Sequence, residues 1–170
     1  MHTQILAEIG RTLGSVNEED WALAERLLEE YRRIFFTGQG RSGLVAQMAA
    51  MRVSHLGREA WVAGETTTPP IGRQDLLIVL SGSGNSPLAV ERAEIARGTG
   101  AKVLAVTGSQ AGQLAAHSDW CCRLPVGPSV QFGGSLFEQS ALVFWDAVAT
   151  AYAAHHHILG ADMASRHFNL

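Results

Sequence analysis

Long apolar runs are missing from this sequence of 170 residues, and neither sign of charge is concentrated along it. No run reaches the ~18 apolar residues that a membrane-spanning helix needs. The N-terminal residues MHTQILAEIG lack the basic segment and apolar stretch of a secretory signal. We therefore expect a cytoplasmic chain with no membrane partner. The formal net charge of -3, without a lysine- or arginine-rich run, argues against nucleic-acid binding and favours small-molecule or protein partners.

Cysteine is scarce, because Cys121 and Cys122 are the only two and they stand side by side in a strand-like stretch. Neighbouring side chains of a strand point to opposite faces, so a disulfide framework is implausible and we interpret both as buried packing residues. A metal-binding pattern is missing too. The consecutive His155, His156 and His157 fan out by ~100° each on a helix, so they cannot converge on one ion as an i, i+4 pair can. We expect no metal site.

The sequence does contain an alternation of strand-like and helix-like segments. Its 46% hydrophobic and 17% charged residues are typical of a globular chain with a real core. We predict one domain, with N-terminal helices over 1–33, an α/β core over 34–158 and a tail over 159–170. Strands are predicted at 34–37, 59–64, 75–80, 102–107 and 120–124, and helices at 44–56, 87–99, 110–117 and 135–157. This alternation predicts a doubly wound, five-stranded parallel sheet flanked by helices, of flavodoxin-like architecture.

Two glycine- and serine-rich loops, GQGRSG and SGSGNS, follow the first and third predicted strands. Ligands of open α/β sheets bind outside the carboxyl ends of the strands, so both loops converge on one edge. A Ser/Gly loop that opens a helix offers N–H groups and a helix dipole to a phosphate, whereas the alternative is a flexible surface loop. The predicted phosphate-binding residues are Gly40, Ser42, Ser81, Gly82, Ser83, Gly84, Asn85 and Ser86.

Neither loop is a nucleotide-binding fingerprint. GQGRSG has the spacing G-x-G-x-x-G, but no acidic residue stands at the end of the second predicted strand, and Glu65 lies too far along the chain. The Gly-Lys-Ser/Thr of a P-loop does not occur anywhere in the sequence. We therefore expect hydroxyl and amide groups to hold the phosphate, without a nucleotide cofactor.

An ordered set of motifs resembles one enzyme family. The set is GRSGLVAQMAAMRVSHLG, GETTTPPIG, DLLIVLSGSGNS, GGSLFEQS and, near the end, RHFNL. Together these motifs resemble the 6-phospho-3-hexuloisomerases, which belong to the sugar isomerase (SIS) domain family, over nearly all of 34–170. One departure is the pair Asn85-Ser86, where many relatives carry Glu-Thr. The hydroxyl group at position 86 is preserved, so the phosphate prediction is unaffected.

The resemblance implies an enzyme that interconverts D-arabino-hex-3-ulose 6-phosphate and D-fructose 6-phosphate through a cis-enediol, in the ribulose monophosphate pathway of formaldehyde fixation or in pentose supply. This carbonyl shift needs a base and polarisation of one oxygen, but no redox cofactor and no obligatory metal. The resemblance also implies a homo-oligomer, and we expect a tetramer made of tight dimers. The alternatives are another phosphosugar isomerase, for example of arabinose 5-phosphate, and a non-catalytic phosphosugar sensor.

Individual roles also follow from the resemblance. It assigns proton transfer to Glu138 of the LFE motif, although spacing alone favours a capping box with the serine three residues earlier. His55 and His167 compete to protonate a ring or carbonyl oxygen, and His55 is alternatively a helix C-terminal residue favoured by the dipole. Arg41 is expected to meet phosphate or sugar hydroxyls, with a surface salt bridge as the alternative. Glu65 is expected to face substrate hydroxyls.

Overall fold

The computed structural model describes residues 1–109 and 112–169. Its strands are β1 (Arg33–Gly38), β2 (Glu59–Val62), β3 (Leu76–Ser81), β4 (Lys102–Thr107) and β5 (Trp120–Arg123). Its helices are α1 (His2–Gly14), α2 (Glu18–Glu30), α3 (Arg41–His55), α4 (Pro87–Gly98), α5 (Gln113–Ala116), α6 (Ser135–His155) and α7 (Gly160–Ser165). The helix predicted over 110–117 is described only from residue 112 onward, where it forms α5, because residues 110 and 111 lie outside the described residues.

The strands form one parallel sheet in the order β2-β1-β3-β4-β5, which confirms the predicted doubly wound fold. Ile34 of β1 pairs with Leu76 of β3, and Leu76 in turn pairs with Lys102 of β4. The order reverses between β1 and β3, since the chain leaves these two strands in opposite directions across the sheet. A crevice opens beyond the carboxyl ends of such a strand pair, and both glycine-rich loops begin there.

The two faces of the sheet carry separate hydrophobic cores. One core joins the sheet to α2, α3 and α6 through side chains such as Leu27, Val53 and Phe144, and the other joins it to α4 and α5. Cys122 lies in the first core and Cys121 packs against the second, so the prediction that their side chains point to opposite faces is confirmed. Both thiols are free, and burial raises their pKa values above the ordinary range.

Several element boundaries differ from the sequence prediction by one to three residues, and the tail contains a helix that was not predicted. Helix α3 begins at Arg41, three residues before the predicted start at residue 44, because Gly40 turns the chain with a φ of +58°. Strand β2 ends at Val62, two residues before its predicted end at residue 64. The tail contains the unpredicted α7, where the Leu159 N–H donates to the Asp162 carboxylate at 2.9 Å. The consequence for the site is that residues 41 and 42 lie in the first turn of a helix.

Among the described residues, no helix combines the length and the apolar character that crossing a bilayer requires.

Candidate functional site

The two glycine-rich loops enclose a small polar cavity at the crevice between β1 and β3. This cavity, which we call the seat, has a volume of about 250 Å³. It brings together six of the predicted phosphate-binding residues: Gly40, Ser42, Ser81, Gly82, Ser83 and Ser86. Gln39 also lines it and was missed by the sequence prediction, although its place inside the GQG turn was a usable signal.

Close backbone contacts explain the glycines beside the seat. A Cβ atom on Gly38 would lie 2.6 Å from the Ser42 carbonyl carbon, so only glycine lets α3 start this close to β1. The Ser86 hydroxyl donates to the Gln39 side-chain oxygen at 2.8 Å, which ties the two loops together. Neither α3 nor α4 has an N-cap side-chain hydrogen bond. Apart from the Gly43 N–H, which donates to the Gly40 carbonyl oxygen at 3.0 Å, and Pro87, which has no N–H, the first-turn N–H groups can bind an anion.

Asn85 and Gly84 support the seat without lining it. The Asn85 side-chain oxygen accepts from the Gln113 N–H at 2.9 Å, which attaches the second loop to α5. Gly84 is buried with a φ of +67°, and a Cβ atom there would lie 3.1 Å from the Gly112 Cα. These contacts fix the shape of the loop, and they place the Asn85 side chain on α5.

Glu138 lies in the first turn of α6 and, with Arg41, lines a cavity other than the seat. The ring of Phe137 packs so closely on the second loop that a Cβ atom on Gly82 would lie 3.1 Å from it. The Glu138 carboxylate forms an ion pair with Arg41, and its side chain is only 12% exposed. The capping-box alternative is not observed, because the Ser135 hydroxyl donates to the Phe132 carbonyl oxygen at 2.8 Å and α6 has no N-cap side-chain bond.

The two histidines of the predicted set lie at the other end of α3. His55 is 4% exposed, and its ring stacks on that of His167 with centroids 5.1 Å apart. Arg166 fixes the tail there by donating to the His55 carbonyl oxygen at 2.9 Å. Burial, the charge of His167 and that of Arg52, in this order, lower the pKa of His55. The last residue of the RHFNL motif lies outside the described residues.

Helix α3 separates these histidines from Glu138 within one chain. Its 15 residues span about 21 Å at 1.5 Å per residue, with Arg41 at one end and His55 at the other. Glu65 is also apart from the seat, since its exposed side chain lines a different cavity on the α4 face of the sheet. The structure of a single chain therefore joins Glu138, Arg41 and the serines, and leaves His55, His167 and Glu65 elsewhere.

The three consecutive histidines have separate surroundings. His155 pairs with Glu25, His156 stacks on Tyr152 with centroids 4.1 Å apart, and His157 has left the helix with a φ of +54°. Among the residues that the structure describes, no group of three His, Cys, Asp or Glu side chains is arranged to hold a metal ion.

Comparisons with known proteins agree with the fold and identify relatives of the chain. The SIS domain profile matches residues 27–156. The 3-hexulose-6-phosphate isomerase of Mycobacterium gastri is 39% identical over 171 residues, which cover 96% of this chain and 86% of the relative. That of Bacillus subtilis is 34% identical over 177 residues, covering 98% and 95%. A solved structure from Methanococcus jannaschii, for which a 3-hexulose-6-phosphate isomerase function was inferred, has a TM-score of 0.89 and 28% identity, covering 97% and 98%.

Proposed function

This chain belongs to the SIS domain family, and from that premise we propose that it is an isomerase that interconverts D-arabino-hex-3-ulose 6-phosphate and D-fructose 6-phosphate. Its relatives named 3-hexulose-6-phosphate isomerase carry another name for the same activity, and they match almost the whole chain. The observation that carries the proposal is the ion pair of the shielded Glu138 carboxylate with Arg41, which stands in the chain between Gly40 and Ser42 of the serine-lined seat.

The seat is the proposed phosphate site. Four serine hydroxyls, of Ser42, Ser81, Ser83 and Ser86, belong to the two loops that close it. The N-termini of α3 and α4 add N–H groups and the positive ends of two helix dipoles. A phosphate bound here fixes one end of the sugar, so that carbons 2 and 3 are presented at a defined distance from the loops.

Glu138 is the proposed base. In the direction of fructose 6-phosphate, its carboxylate takes the proton from C2 of the hexulose, the cis-enediol forms, and the protonated Glu138, which can exchange its proton with solvent, delivers a proton to C3. The hydroxyl proton moves in the same sense, from the oxygen on C2, which becomes the carbonyl, to the oxygen on C3, which becomes a hydroxyl, so no electron leaves the substrate. Arg41 orients the carboxylate through their ion pair. The isomerisation is a proton transfer and therefore requires no redox cofactor.

A second copy of the chain is the proposed source of the histidines. Helix α3 exposes Leu44, Met48 and Met51, which lie on one stripe at spacings of four and three residues. A two-fold axis passing near Met48, the midpoint of α3, pairs this stripe with itself in antiparallel sense. The His55 end of the partner's helix then lies beside Arg41 and Glu138. The proposed assembly is a tetramer built from two such dimers.

The proposed compartment is the cytoplasm, where phosphorylated sugars are produced and consumed. The proposed pathway is the ribulose monophosphate route, in which the hexulose 6-phosphate formed from formaldehyde becomes fructose 6-phosphate. The same reaction run in reverse supplies pentose phosphate.

Nuclear magnetic resonance in D₂O tests this activity. The protein is incubated separately with fructose 6-phosphate and with arabinose 5-phosphate, and the sugar C–H signals are followed. We expect the C3 proton of fructose 6-phosphate to exchange with solvent while the hexulose accumulates, with arabinose 5-phosphate unchanged. Turnover of arabinose 5-phosphate alone contradicts the substrate assignment. Saturable binding of fructose 6-phosphate without exchange identifies a sensor.

A further inference from the structure

A second cavity lies on the α4 face of the sheet. We call it the α4 cavity and define it by Phe35, Glu65, Ile71, Leu77, Arg92 and Ile95. Its volume is about 280 Å³, and its wall shares no residue with the seat. It forms because α4 packs on β3 and β4, which leaves β1 on this face to be covered by the connection between β2 and β3.

The inner wall of the α4 cavity is apolar and well ordered by packing. Phe35 and Leu77 are buried side chains of β1 and β3. The Trp61 ring stacks on Phe35 with centroids 5.2 Å apart, and the Arg33 guanidinium lies over both rings. At the mouth, Ile95 is 57% exposed, although it is a large apolar side chain. These apolar side chains form a surface on which the apolar part of a ligand can pack.

One cation lies in the wall of the α4 cavity. The half-buried Arg92 donates to the Thr37 hydroxyl, and its other terminal nitrogen lies so near Gly64 that a Cβ atom there would be 3.0 Å away. Among the described residues, no carboxylate lies within ion-pair distance of this guanidinium. A partly desolvated cation without a counter-ion is costly, and an anionic ligand group removes that cost.

Glu65 sets the charge that the α4 cavity accepts. Its exposed side chain belongs to the same cavity as Arg92, and the two form no ion pair in the structure. A ligand with two negative charges meets this carboxylate as a like charge, whereas a ligand with one negative charge is compensated by Arg92. The pair therefore favours a monoanion over a phosphate dianion.

We propose that the α4 cavity is a second binding site, separate from the seat, that takes a small monocarboxylate with an apolar body. The carboxylate pairs with the Arg92 guanidinium, and the apolar body lies on Phe35, Ile71 and Ile95. The volume of about 280 Å³ is near the lower end of the ~300–1,000 Å³ of ligand pockets, which suits a ligand smaller than a nucleotide. The proposal is independent of the reaction assigned to the seat.

Benzoate is the probe that tests this site, and the indole N–H signal of Trp61 is the reporter. The signal is assigned by its loss in Trp61→Phe and is followed in a ¹⁵N–¹H spectrum as benzoate is added. We expect a saturable shift in the wild-type protein. The same shift is expected in the Ser83→Glu variant, where a like charge occupies the seat. Phenyl phosphate, the dianionic analogue, is expected to bind at least about tenfold more weakly.

Two matched pairs of variants locate the carboxylate. Arg92→Met is expected to weaken benzoate binding at least about tenfold, whereas Arg97→Met, at an exposed position of the same helix, leaves it unchanged. Ile95→Asp places a like charge at the mouth without touching the Arg92–Thr37 contact and is expected to have the same effect, while Ile95→Lys retains binding. This second pair decides the outcome if Arg92→Met does not fold.

Three results overturn the proposal. The first is a Trp61 signal that does not shift saturably below about 10 mM benzoate, a concentration that corresponds to negligible affinity. The second is a shift that disappears in Ser83→Glu, which assigns the probe to the seat. The third is equal binding by Ile95→Asp and Ile95→Lys.

Discussion

The Glu138 side chain, in the first turn of α6, forms an ion pair with Arg41. The Glu138 side chain is 12% exposed. Changing Glu138→Gln keeps the shape of the side chain and removes the proposed base. A positioned base contributes about 10²–10⁴-fold to rate, so turnover and C3 exchange of fructose 6-phosphate should both fall by that factor. The dissociation constant of fructose 6-phosphate should change little, because the base acts mainly in the transition state.

Glu91→Gln is the control for this prediction, since Glu91 is an exposed glutamate of α4. It should turn over like the wild type. If Glu138→Gln instead retains most of its activity and melts at a lower temperature, the Arg41–Glu138 pair is a structural ion pair, and the base is another residue.

Ser83 tests the phosphate assignment separately from the chemistry. Its side chain is exposed in the seat, so Ser83→Glu should fold normally while placing a like charge at the proposed phosphate site. We expect affinity for fructose 6-phosphate, measured by calorimetry, to fall more than about 100-fold. Ser15 is an exposed serine in the turn after α1, and the control variant Ser15→Glu should bind fructose 6-phosphate as the wild type does. Wild-type affinity in Ser83→Glu rules out the seat as the phosphate site.

Much of the site could be predicted from the sequence because its loops are local features. The serines and glycines are consecutive along the chain, and the strand before each loop fixes the edge of the sheet at which they meet. The ion pair between Arg41 and Glu138 joins residues 97 positions apart, and no local pattern encodes such a pairing. The contact of Arg92 with Thr37 was missed for the same reason.

At the scale of elements, the long apolar strands were predictable and the short polar pieces were not. β3 is buried at all six positions of its sequence LLIVLS, and such a continuous apolar run is a clear strand signal. The start of α3 depends on one glycine with a positive φ inside GQGRSG, which a Ser/Gly-rich sequence does not specify. Helix α7 has six residues and no buried side chain, so it leaves no hydrophobic period to detect.

The docking of the tail on α3 should depend on pH. Burial lowers the pKa of His55 below its ordinary value of ~6.5, so the folded protein favours the neutral ring. The unfolded chain then binds more protons, and the stability contributed by neutral His55 is present above ~6.5 and is lost as the pH falls through the lowered pKa. His167, Arg52 and Arg166 lie close by and oppose a further positive charge.

We expect the thermal midpoint of the wild type to fall between about pH 7.5 and about pH 5.5 by more than that of His55→Phe, which keeps an aromatic ring for stacking. Differential scanning calorimetry at both pH values measures the difference. An identical pH dependence in the two proteins shows that His55 does not titrate in this range.

The exposed stripe of α3 yields a prediction about assembly. Met48 is exposed at the centre of the stripe, so Met48→Glu places two negative charges face to face if the helices pair across a two-fold axis there. Sedimentation velocity should then show a smaller species than the wild type, and turnover should fall with it. Met48→Leu, which preserves the apolar surface, is the control. An unchanged oligomer in Met48→Glu places the interface elsewhere.

At the scale of the whole molecule, the 15-residue length of α3 decides whether one chain is sufficient for the reaction. Within one chain, the rise of α3 separates the backbone of His55, on which His167 stacks, from that of Arg41, the partner of Glu138, by about 21 Å. In an antiparallel pair of α3 helices, the His55 end of each helix lies beside the Arg41 end of the other. Both pairs of ends are therefore brought together by one two-fold axis. Each proposed dimer then holds two proposed sites, and each of these takes Glu138 from one chain and His167 from its partner.

Mixing two inactive variants tests this arrangement. Glu138→Gln and His167→Ala are each expected to be slow alone. In a dimer of one chain of each kind, one site has both substitutions and the other has neither. After denaturation together and refolding at equal amounts, half of the dimers are mixed, so activity should recover to about one quarter of the wild-type value. If mass spectrometry shows that mixed dimers have formed and activity does not recover, Glu138 and His167 do not act in one site supplied by two chains.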